Sequence, residues 1–433
     1  MLTGLFWSFL VSSQNITIYT GNQTQWIIVR QLYGEHKRYL FSVDNPGDGV
    51  FRFSLKKYPP GEYAVQFNGE MDKILRFIYN YEDIVLKVDG KNFSYPGVVQ
   101  SKENSVYIPF LKKTREVKKR YDELRDYYAD TGNPVYQIEY ENLKREYMHF
   151  LTKSLKDSEG KLVFNYISQL VPFLPNKLYR SKKLSIQMAE EHFLDWFHPD
   201  SKHLIRSGLI MEKVNDYVFG IPILEFGKNR TDVYKKRVAK VLAKAQVEEI
   251  KAQIIFYLLK RFSTIDKKVL KTLEAYHNRL PERLQDPDLL QNFLNYKAPV
   301  VGNYLNLNRL ADNKKLKLKK ANYYLVIFQS PSCQQCGLLL PKLNEQLKTR
   351  GKVEVVNVSF EDETELWKNF NQTYKKWKNI QITTDKLANI IGYYRLQYLP
   401  TIILADKHFV ILEKIYGQND ILEMLKHYEL LKK

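Results

Sequence analysis

The stretch YYLVIFQSPSCQQCGLLLP, residues 323–341, contains the only two cysteines of this 433-residue chain. Its apolar first half predicts a buried strand, and the residues after it predict a helix whose first turn includes Cys333. Free backbone amides and the helix dipole at such a position stabilise a thiolate. Cys336 lies one turn further on the same face, within reach of a disulfide. The stretch therefore favours thiol chemistry at the start of a helix.

Two other interpretations of the cysteine pair agree less well with the sequence. A zinc site needs two more ligands, and the C-terminal part of the chain offers only His408 and His427, both distant in sequence. Two small buried residues without a chemical role would explain neither the spacing nor the strand in front of it. We therefore interpret the pair as a redox dithiol and predict no metal and no cofactor.

The rest of the chain separates into regions of different periodicity. Residues 14–100 contain six short apolar runs between turn sequences such as DNPGDG and PPGE, which predicts strands. From residue 101 to 297 the apolar residues recur at helical spacing. We predict a multidomain α+β protein: an N-terminal antiparallel β-sandwich at 14–100, a central all-α domain at 101–297 and a C-terminal α/β domain at 298–433.

The N-terminal residues 1–13 have some features of a secretory signal. Leu5 to Val11 is a short apolar run, and the small residues around its end would fit cleavage before Gln14. A basic n-region is missing, so either the true start lies further upstream or the run only leads into the first strand. We predict export to the periplasm or cell envelope, with a truncated or wrongly assigned start.

The charge of the chain does not indicate a nucleic-acid partner. The net charge of +19 arises from 67 basic and 48 acidic residues, and the two signs are interspersed, as in TREVKKRYDELRDYY. On a helix this pattern is typical of a solvated face with i,i+4 pairs. RNP-like, zinc-finger and helix-turn-helix motifs are absent from the sequence, so we predict no binding to nucleic acid.

The stretch AEEHFLDWFHPDSKHL, residues 189–204, raises the question of a metal site. The possible ligands are Glu191, His192, His198 and His203. However, His192 and His198 do not share a helix face, and Pro199 ends the helix before the third histidine. The aromatic residues in the same stretch are typical of a packed helix end. We therefore predict no metal site here.

Residues 298–433 resemble a thioredoxin fold of the TlpA-like type, found in envelope thiol–disulfide oxidoreductases. Pro341, five residues after Cys336, matches the proline that kinks the first helix of this fold. KVEVVNVSFEDETELWKNFNQTYKKW matches the strand and inserted helix of the subgroup. LANIIGYYRLQYLPTIILADKHFVILEKIYG matches the closing section, in which Leu399-Pro400-Thr401 stands at the position of the cis-proline loop. The order of β-domain, helical domain and thioredoxin-like domain is also similar to that of large Gram-negative envelope proteins.

The resemblance implies a role for each residue around the pair. Cys333 would attack a disulfide, Cys336 would resolve the mixed disulfide, and Pro400 would hold a loop beside them. The residues expected to contact substrate lie in that loop and around the cysteines: Leu399, Thr401, Ser332, Gln334 and Gln335. The implied partners are protein or small-molecule disulfides and dithiols, together with a membrane-borne electron donor.

Three positions depart from the family pattern. Thioredoxins carry a buried aspartate where this chain has Ile327, and many TlpA-like proteins carry a glutamate where it has Leu339. Ser332 replaces a tryptophan that often precedes the motif. We predict a thiol–disulfide oxidoreductase that reduces or exchanges protein disulfides. The alternative is an envelope binding or scaffold protein whose thioredoxin-like domain is catalytically weak, because neither carboxylate is present.

Overall fold

The structure is a computed structural model, and it describes the chain in nine ranges: 15–21, 24–70, 72–89, 92–294, 299–311, 316–347, 352–396, 398–416 and 418–432. The predicted signal segment, residues 1–13, lies outside these ranges. Contacts divide the chain into two compact units: unit 1 with Met1–Pro222 and Arg237–Ile254, and unit 2 with Ile223–Lys236 and Ile255–Lys433. Each unit therefore combines separate stretches of the chain. The three domain ranges given by the sequence remain a prediction.

Unit 1 begins with eight strands in two four-stranded sheets, in the orders β4-β1-β7-β8 and β3-β2-β5-β6. The strands are β1 (Asn15–Tyr19), β2 (Trp26–Tyr33), β3 (His36–Asp44), β4 (Val50–Ser54), β5 (Gly61–Phe67), β6 (Ile74–Tyr79), β7 (Ile84–Asp89) and β8 (Asn92–Gln100). Ring contacts join the two sheets, since Phe41 lies 5.7 Å from Phe53 and Phe67 lies 4.7 Å from Phe93. The predicted β-sandwich is confirmed. Two strands, β6 and β8, and a parallel pairing of β1 with β7 were not predicted.

Helices follow the sandwich, as the periodicity predicted. They are α1 (Asn104–Thr131), α2 (Pro134–Asp157), α3 (Val163–Leu170), α4 (Lys182–His192), α5 (Leu209–Asn215), α6 (Lys228–Lys244), α7 (Glu248–Phe262), α8 (Lys267–His277) and α9 (Pro287–Leu294). The break between α1 and α2 has a local cause. Gly132 ends α1 in the left-handed region at φ 66°, and the Asn133 side chain accepts a hydrogen bond from the Val135 N–H at 3.0 Å. Along the described ranges, no helix is both long and apolar enough to cross a bilayer.

A buried carboxylate connects the sandwich of unit 1 to its helices. Glu62 on β5 is 0% exposed and lies 2.5 Å from the Arg76 guanidinium on β6. It also accepts hydrogen bonds from the Tyr107 hydroxyl at 2.7 Å, the Ser207 hydroxyl at 2.9 Å and the Gly208 N–H at 3.0 Å. Burial alone would raise the pKa of Glu62, but Arg76 and the other donors hold it below its ordinary value. Glu62 is therefore a charged group in the interior.

Unit 2 contains a five-stranded mixed sheet in the order β11-β10-β9-β12-β13. Its strands are β9 (Tyr323–Gln329), β10 (Val353–Phe360), β11 (Lys378–Ile382), β12 (Thr401–Asp406) and β13 (Ile411–Tyr416). Its later helices are α10 (Gln334–Gln346), α11 (Thr364–Thr373), α12 (Thr384–Tyr394) and α13 (Gln418–His427). β9, β10 and β11 run parallel, whereas β12 and β13 are antiparallel to their neighbours. The predicted C-terminal α/β domain is confirmed.

The central strand of unit 2 is buried on both faces, as its continuous apolar sequence predicted. Leu325 and Ile327 pack in a cluster with residues of α10 and α13. Val326 and Phe328 pack on the opposite face, in a cluster that includes Ile390 of α12. Because successive side chains of a strand point to opposite faces, one short apolar run supplies both cores. The cysteine-bearing helix α10 is thereby held on one face of the sheet.

A segment from the middle of the chain, Ile223–Lys236, also belongs to unit 2. Phe226 lies in the same apolar cluster as the inner face of α10. Glu413 on β13 is 1% exposed, accepts a hydrogen bond from the Gly227 N–H and pairs with Arg230 at 3.0 Å. Gly227 directly precedes the first residue of α6, so this distant carboxylate satisfies a backbone amide at the start of that helix.

Candidate functional site

The cysteine pair lies where β9 passes into α10. Cys333 is the N-cap residue of α10, and its N–H donates to the Ser330 carbonyl at 3.0 Å. Its sulfur accepts a hydrogen bond from the Cys336 N–H at 3.2 Å. The two cysteines form a disulfide with their Cα atoms 5.2 Å apart. The helix start therefore holds the pair in the geometry that the spacing predicted, with one backbone amide directed at the first sulfur.

The two cysteines differ in exposure. Cys333 is half-buried at the edge of the cluster beneath α10, whereas Cys336 is only 1% exposed and lies within that cluster. A protein disulfide approaching from solvent can reach Cys333 first. Buried Cys336 lies within disulfide distance of the Cys333 sulfur, so it can attack that sulfur once Cys333 carries a substrate. The difference in burial therefore suits an attacking residue and a resolving residue, in the order that the resemblance implied.

The predicted loop lies beside the pair. The Leu399–Pro400 peptide is cis, and Pro400 is buried. Thr401 begins β12 and pairs with Phe328 of β9, so the loop before it adjoins the stretch that leads from β9 to Cys333. Leu399 and Cys333 pack against the same apolar cluster. The fold thus brings together two stretches that are more than sixty residues apart in sequence.

The residues predicted to contact substrate differ in exposure. Ser332, Gln334 and Gln335 are exposed, and Leu399 is half-buried. Thr401 is fully buried, and its hydroxyl donates to the Tyr398 carbonyl at 2.5 Å. The Thr401 side chain therefore holds the loop from inside. Contact of these five residues with substrate stays a prediction.

Two exposed apolar residues at the site were not predicted. Leu338 on α10 is 58% exposed, and Tyr398 in the loop is 68% exposed. Each lies close in sequence to a residue or motif that was singled out, because Leu338 follows the cysteines by two positions and Tyr398 directly precedes Leu399. Their apolar character resembled that of core residues in sequence. Their exposure appears only in the fold.

The positions where related proteins carry a carboxylate are apolar and deeply buried. Ile327 and Leu339 are both 0% exposed and pack in the cluster that contains Cys336. Lys342 and Glu345, the nearest charged residues on α10, are exposed and lie away from its buried face. The cluster around Cys336 is therefore apolar at both positions.

A buried lysine anchors the helix that leads into the loop. Lys414 on β13 is 8% exposed, and its Nζ donates to the Tyr394 carbonyl at 2.8 Å and the Arg395 carbonyl at 3.4 Å. These carbonyls lie at the end of α12, a few residues before Leu399. Burial, with a smaller contribution from Arg395, lowers the pKa of Lys414 to about 7.

We expect the stability of unit 2 to rise with pH because of Lys414. An unfolded chain keeps the ordinary lysine pKa of about 10.4, so between pH 7 and 10 it binds a proton that the folded state has lost. The gain in folding stability from this proton release is complete above the unfolded pKa and is lost as pH falls toward the folded pKa. The increase from pH 7 to 9 is about 2 kcal/mol. Urea titrations can measure it by pulse labelling of Cys336 in a Cys333→Ser background.

Two substitutions of Lys414 separate its titration from its packing. Lys414→Met has no titrating group, so its free energy of unfolding should stay high and should not change between pH 7 and 9. Lys414→Arg keeps its charge throughout, so its free energy of unfolding should also be independent of pH in this range, but lower than that of Lys414→Met. An unchanged slope in Lys414→Met would contradict the assignment.

No group of three or more metal-ligating side chains close enough to bind an ion is present in the described part of the chain. His192 ends α4 and pairs through Nδ1 with Asp195 at 3.0 Å. His198 lies in the following loop, and His203 lies in a short 3₁₀ helix at Lys202–Arg206. The four possible ligands thus occupy three different local structures.

Comparison with known proteins concerns mainly the C-terminal part of the chain. Residues 321–410 match the thioredoxin-like family. Thiol–disulfide oxidoreductase ResA of Bacillus cereus is 34% identical over 113 residues, which cover 25% of this chain and 63% of that protein. The chain therefore spans less than two thirds of the length of this curated relative.

Solved structures give similar matches. The thioredoxin domain of a thiol–disulfide oxidoreductase from Bacteroides vulgatus is 24% identical, with 29% of this chain and 85% of that chain covered and a TM-score of 0.22. A thioredoxin-like protein from Bacteroides caccae is 16% identical, with 59% and 97% covered and a TM-score of 0.35.

Proposed function

Because the chain carries a thioredoxin-like domain at residues 321–410, we propose that the protein is a thiol–disulfide oxidoreductase that uses Cys333 and Cys336. The observation that carries the proposal is the difference between the two sulfurs at one helix start. Cys333 is accessible and accepts a backbone N–H, whereas Cys336 is buried behind it. The cis loop at Leu399–Pro400 beside them supports the same function.

The reaction proceeds through two exchanges. The Cys333 thiolate attacks one sulfur of a substrate disulfide, a mixed disulfide forms, and the other substrate sulfur leaves as a thiolate. Cys336 then attacks the Cys333 sulfur and releases the second substrate thiol. Two electrons pass to the substrate, and the enzyme is left with the Cys333–Cys336 disulfide. A dithiol donor must reduce it before the next cycle, and the reverse sequence oxidises a dithiol.

Local structure favours the first exchange. The start of α10 carries the positive end of the helix dipole, and the Cys336 N–H donates to the Cys333 sulfur at 3.2 Å. Both features stabilise a thiolate at Cys333 relative to a thiol. Leu338 and Tyr398 add exposed apolar surface on α10 and in the loop before Leu399. We propose a protein or peptide disulfide as substrate, contacted by these two residues and by the predicted set around the pair.

We place this activity in the periplasm or cell envelope, where disulfide chemistry is common. The apolar run within residues 1–13 supports export, and the matching Bacillus cereus protein bears the name of a thiol–disulfide oxidoreductase. A membrane-borne dithiol protein is the proposed electron donor. The β-sandwich at 14–100 and the helical region at 101–297 are proposed to dock partners.

A second candidate function is that of a binding or scaffold protein with a passive cysteine pair. The apolar residues at Ile327 and Leu339 favour it, because no carboxylate of these positions can accept the proton of Cys336. The two functions differ in whether the pair exchanges electrons reversibly with other thiols.

A redox titration of the full chain tests the proposed function. The protein is equilibrated in graded dithiol and glutathione buffers, and its disulfide is quantified by alkylation and mass spectrometry. We expect a reversible two-electron transition between about −270 mV and about −120 mV, the range from thioredoxin to a strong oxidant. A Cys333→Ala/Cys336→Ala variant is the control and should show none. Failure of the natural chain to form a reversible disulfide would leave the scaffold function.

A further inference from the structure

A polar patch lies in the interior of unit 2, at the end of the strand that leads to the cysteines. We define it as Gln329, Asn357 and Ser359. All three side chains are 0% exposed. Gln329 is the last residue of β9 and lies four residues before Cys333. Three fully buried polar residues on neighbouring strands need an explanation.

The register of the sheet brings the three residues together. Gln329 pairs with Ser359 across the parallel strands β9 and β10, and Ile327 pairs with Asn357. Residues two apart in a strand share a face. Leu325 and Ile327 pack in the cluster of Cys336, so Gln329 follows them on that face. By the same alternation, Asn357 and Ser359 follow the residues of β10 that pack in that cluster, Val353 and Val355. The patch therefore lies on the α10 side of the sheet, at its carboxyl end.

Several polar atoms of the patch are not hydrogen-bonded to the described protein. They are both amide atoms of Gln329, the Ser359 hydroxyl oxygen and the Asn357 Oδ1 atom. The Asn357 Nδ2 atom is bonded, since it donates to Asn379 at 3.0 Å. A buried polar group without a partner costs about 1–3 kcal/mol, and four such atoms would be expensive in a dry core. Buried water satisfies such groups in folded proteins, and one molecule makes two to four hydrogen bonds.

We propose that the polar patch binds buried water, and that this water carries the proton of Cys336 to solvent during resolution of the mixed disulfide. Gln329 and Ser359 are positioning residues that hold the water, because they supply both donors and acceptors. The inference rests on the proposed function. It assigns to the sheet beneath α10 the proton transfer that neither Ile327 nor Leu339 can provide.

The step balances in atoms, electrons and protons. As the Cys336 sulfur attacks the Cys333 sulfur, an S–S bond forms between them and the bond from Cys333 to the substrate breaks. The departing substrate sulfur takes the electron pair. The proton of the Cys336 thiol passes through the water to solvent, and the released thiolate takes a proton from solvent. Water and hydroxyl groups transmit the proton and do not retain it.

Single-turnover kinetics of the full chain test the proposal. A peptide with a fluorescent mixed disulfide is reacted with reduced protein, and attack by Cys333 and resolution by Cys336 are followed separately by acid quenching. We expect Gln329→Met and Ser359→Ala to slow resolution at least tenfold, with less than a threefold change in the attack step. The pH profile of resolution should move to higher pH, and its solvent deuterium isotope effect should change. Gln381→Met is the matched control.

The control is close in chemistry and position. Gln381 on β11 pairs with Ser359, but its Nε2 atom already donates to the Glu361 carbonyl at 2.9 Å. The same substitution there should leave resolution unchanged. Stability gives a second readout, because Gln329→Met should stabilise a dry patch and should bring no gain in a hydrated one. Equal resolution rates in all variants, or a clear gain in stability for Gln329→Met, would overturn the proposal.

Failure of the proposed proton route can be distinguished from failure of the proposed function. If the natural chain forms no reversible disulfide, the function itself falls. If the natural chain reduces the peptide and the patch variants resolve at its rate, only the proton route falls. Water signals at the Gln329 side-chain amide in NMR exchange spectra would support the hydrated patch directly, and loss of those signals in Ser359→Ala would identify the shared site.

Discussion

Replacing Cys336 with serine is expected to stop the reaction after its first exchange, with substrate bound to Cys333 through a disulfide. Cys333 is accessible at the helix start, so the attack does not need its neighbour. Release of the substrate requires a second thiol, and Cys336 is the only other cysteine in the sequence. Cys333→Ser should reduce turnover to the rate of uncatalysed exchange, because the remaining thiol is 1% exposed.

The trapped species can be measured directly. Each reduced variant is mixed with a peptide disulfide, quenched in acid and analysed by intact mass. The Cys336→Ser protein should gain one peptide mass that dithiothreitol removes, and the Cys333→Ser protein should gain none. As a check on accessibility, limited alkylation of the reduced natural protein should modify Cys333 first. Normal turnover by the Cys336→Ser protein would show that the resolving role is wrongly assigned.

Glu62→Ala should destabilise unit 1 by about 3–5 kcal/mol, because it leaves the buried Arg76 charge with only the half-exposed Glu212 as an ion-pair partner. The carboxylate also accepts hydrogen bonds from Tyr107, Ser207 and Gly208, and these donors would lose their acceptor. Since its pKa is lowered in the folded state, Glu62 adds stability above the ordinary glutamate pKa. That stability is lost as pH falls through the folded value.

Urea unfolding followed by circular dichroism measures the effect of Glu62→Ala at pH 7 and at lower pH. Glu62→Met/Arg76→Met removes both charges and should recover most of the loss, since a buried ion pair is often replaceable by apolar residues. Asp48→Ala is the exposed control. Asp48 pairs with Arg52 at 3.1 Å, both side chains are about half exposed, and the loss of stability should be far smaller than that of Glu62→Ala. Equal effects of Glu62→Ala and Asp48→Ala would contradict the importance of burial.

The parts of the fold that sequence predicted are those with local signals. Continuous apolar residues predicted β9 and the residues after them predicted α10, whereas the resemblance to the thioredoxin fold marked Leu399-Pro400 as the loop. Strand β9 and the start of α10 form as predicted because strand burial and helix capping depend on a few neighbouring residues. The confirmation of the sandwich has the same origin, because turn residues separate its strands.

Other features depend on residues that are distant in sequence. Glu62 and Gly208 are 146 residues apart, so nothing near Glu62 indicated that a carboxylate in a strand would be buried and charged. The parallel pairing of β1 with β7 also joins strands separated by five others. Gln329 and Ser359 resembled ordinary polar residues at strand ends, and only the register placed them side by side. Pattern at short range carries no information on such pairs.

The contacts of Glu413 with the start of α6 join two parts of the chain that are synthesised at different times. Arg230 precedes Glu413 by 183 residues. At 5–20 residues per second, the start of α6 leaves the ribosome roughly 10–40 s before its carboxylate partner exists. Phe226 likewise has no strand of unit 2 to pack against until β9 has been synthesised. Unit 1 has its full sequence once Ile254 is made, whereas unit 2 waits for β13. One of the last strands to be synthesised thus completes the beginning of a helix from the middle of the chain.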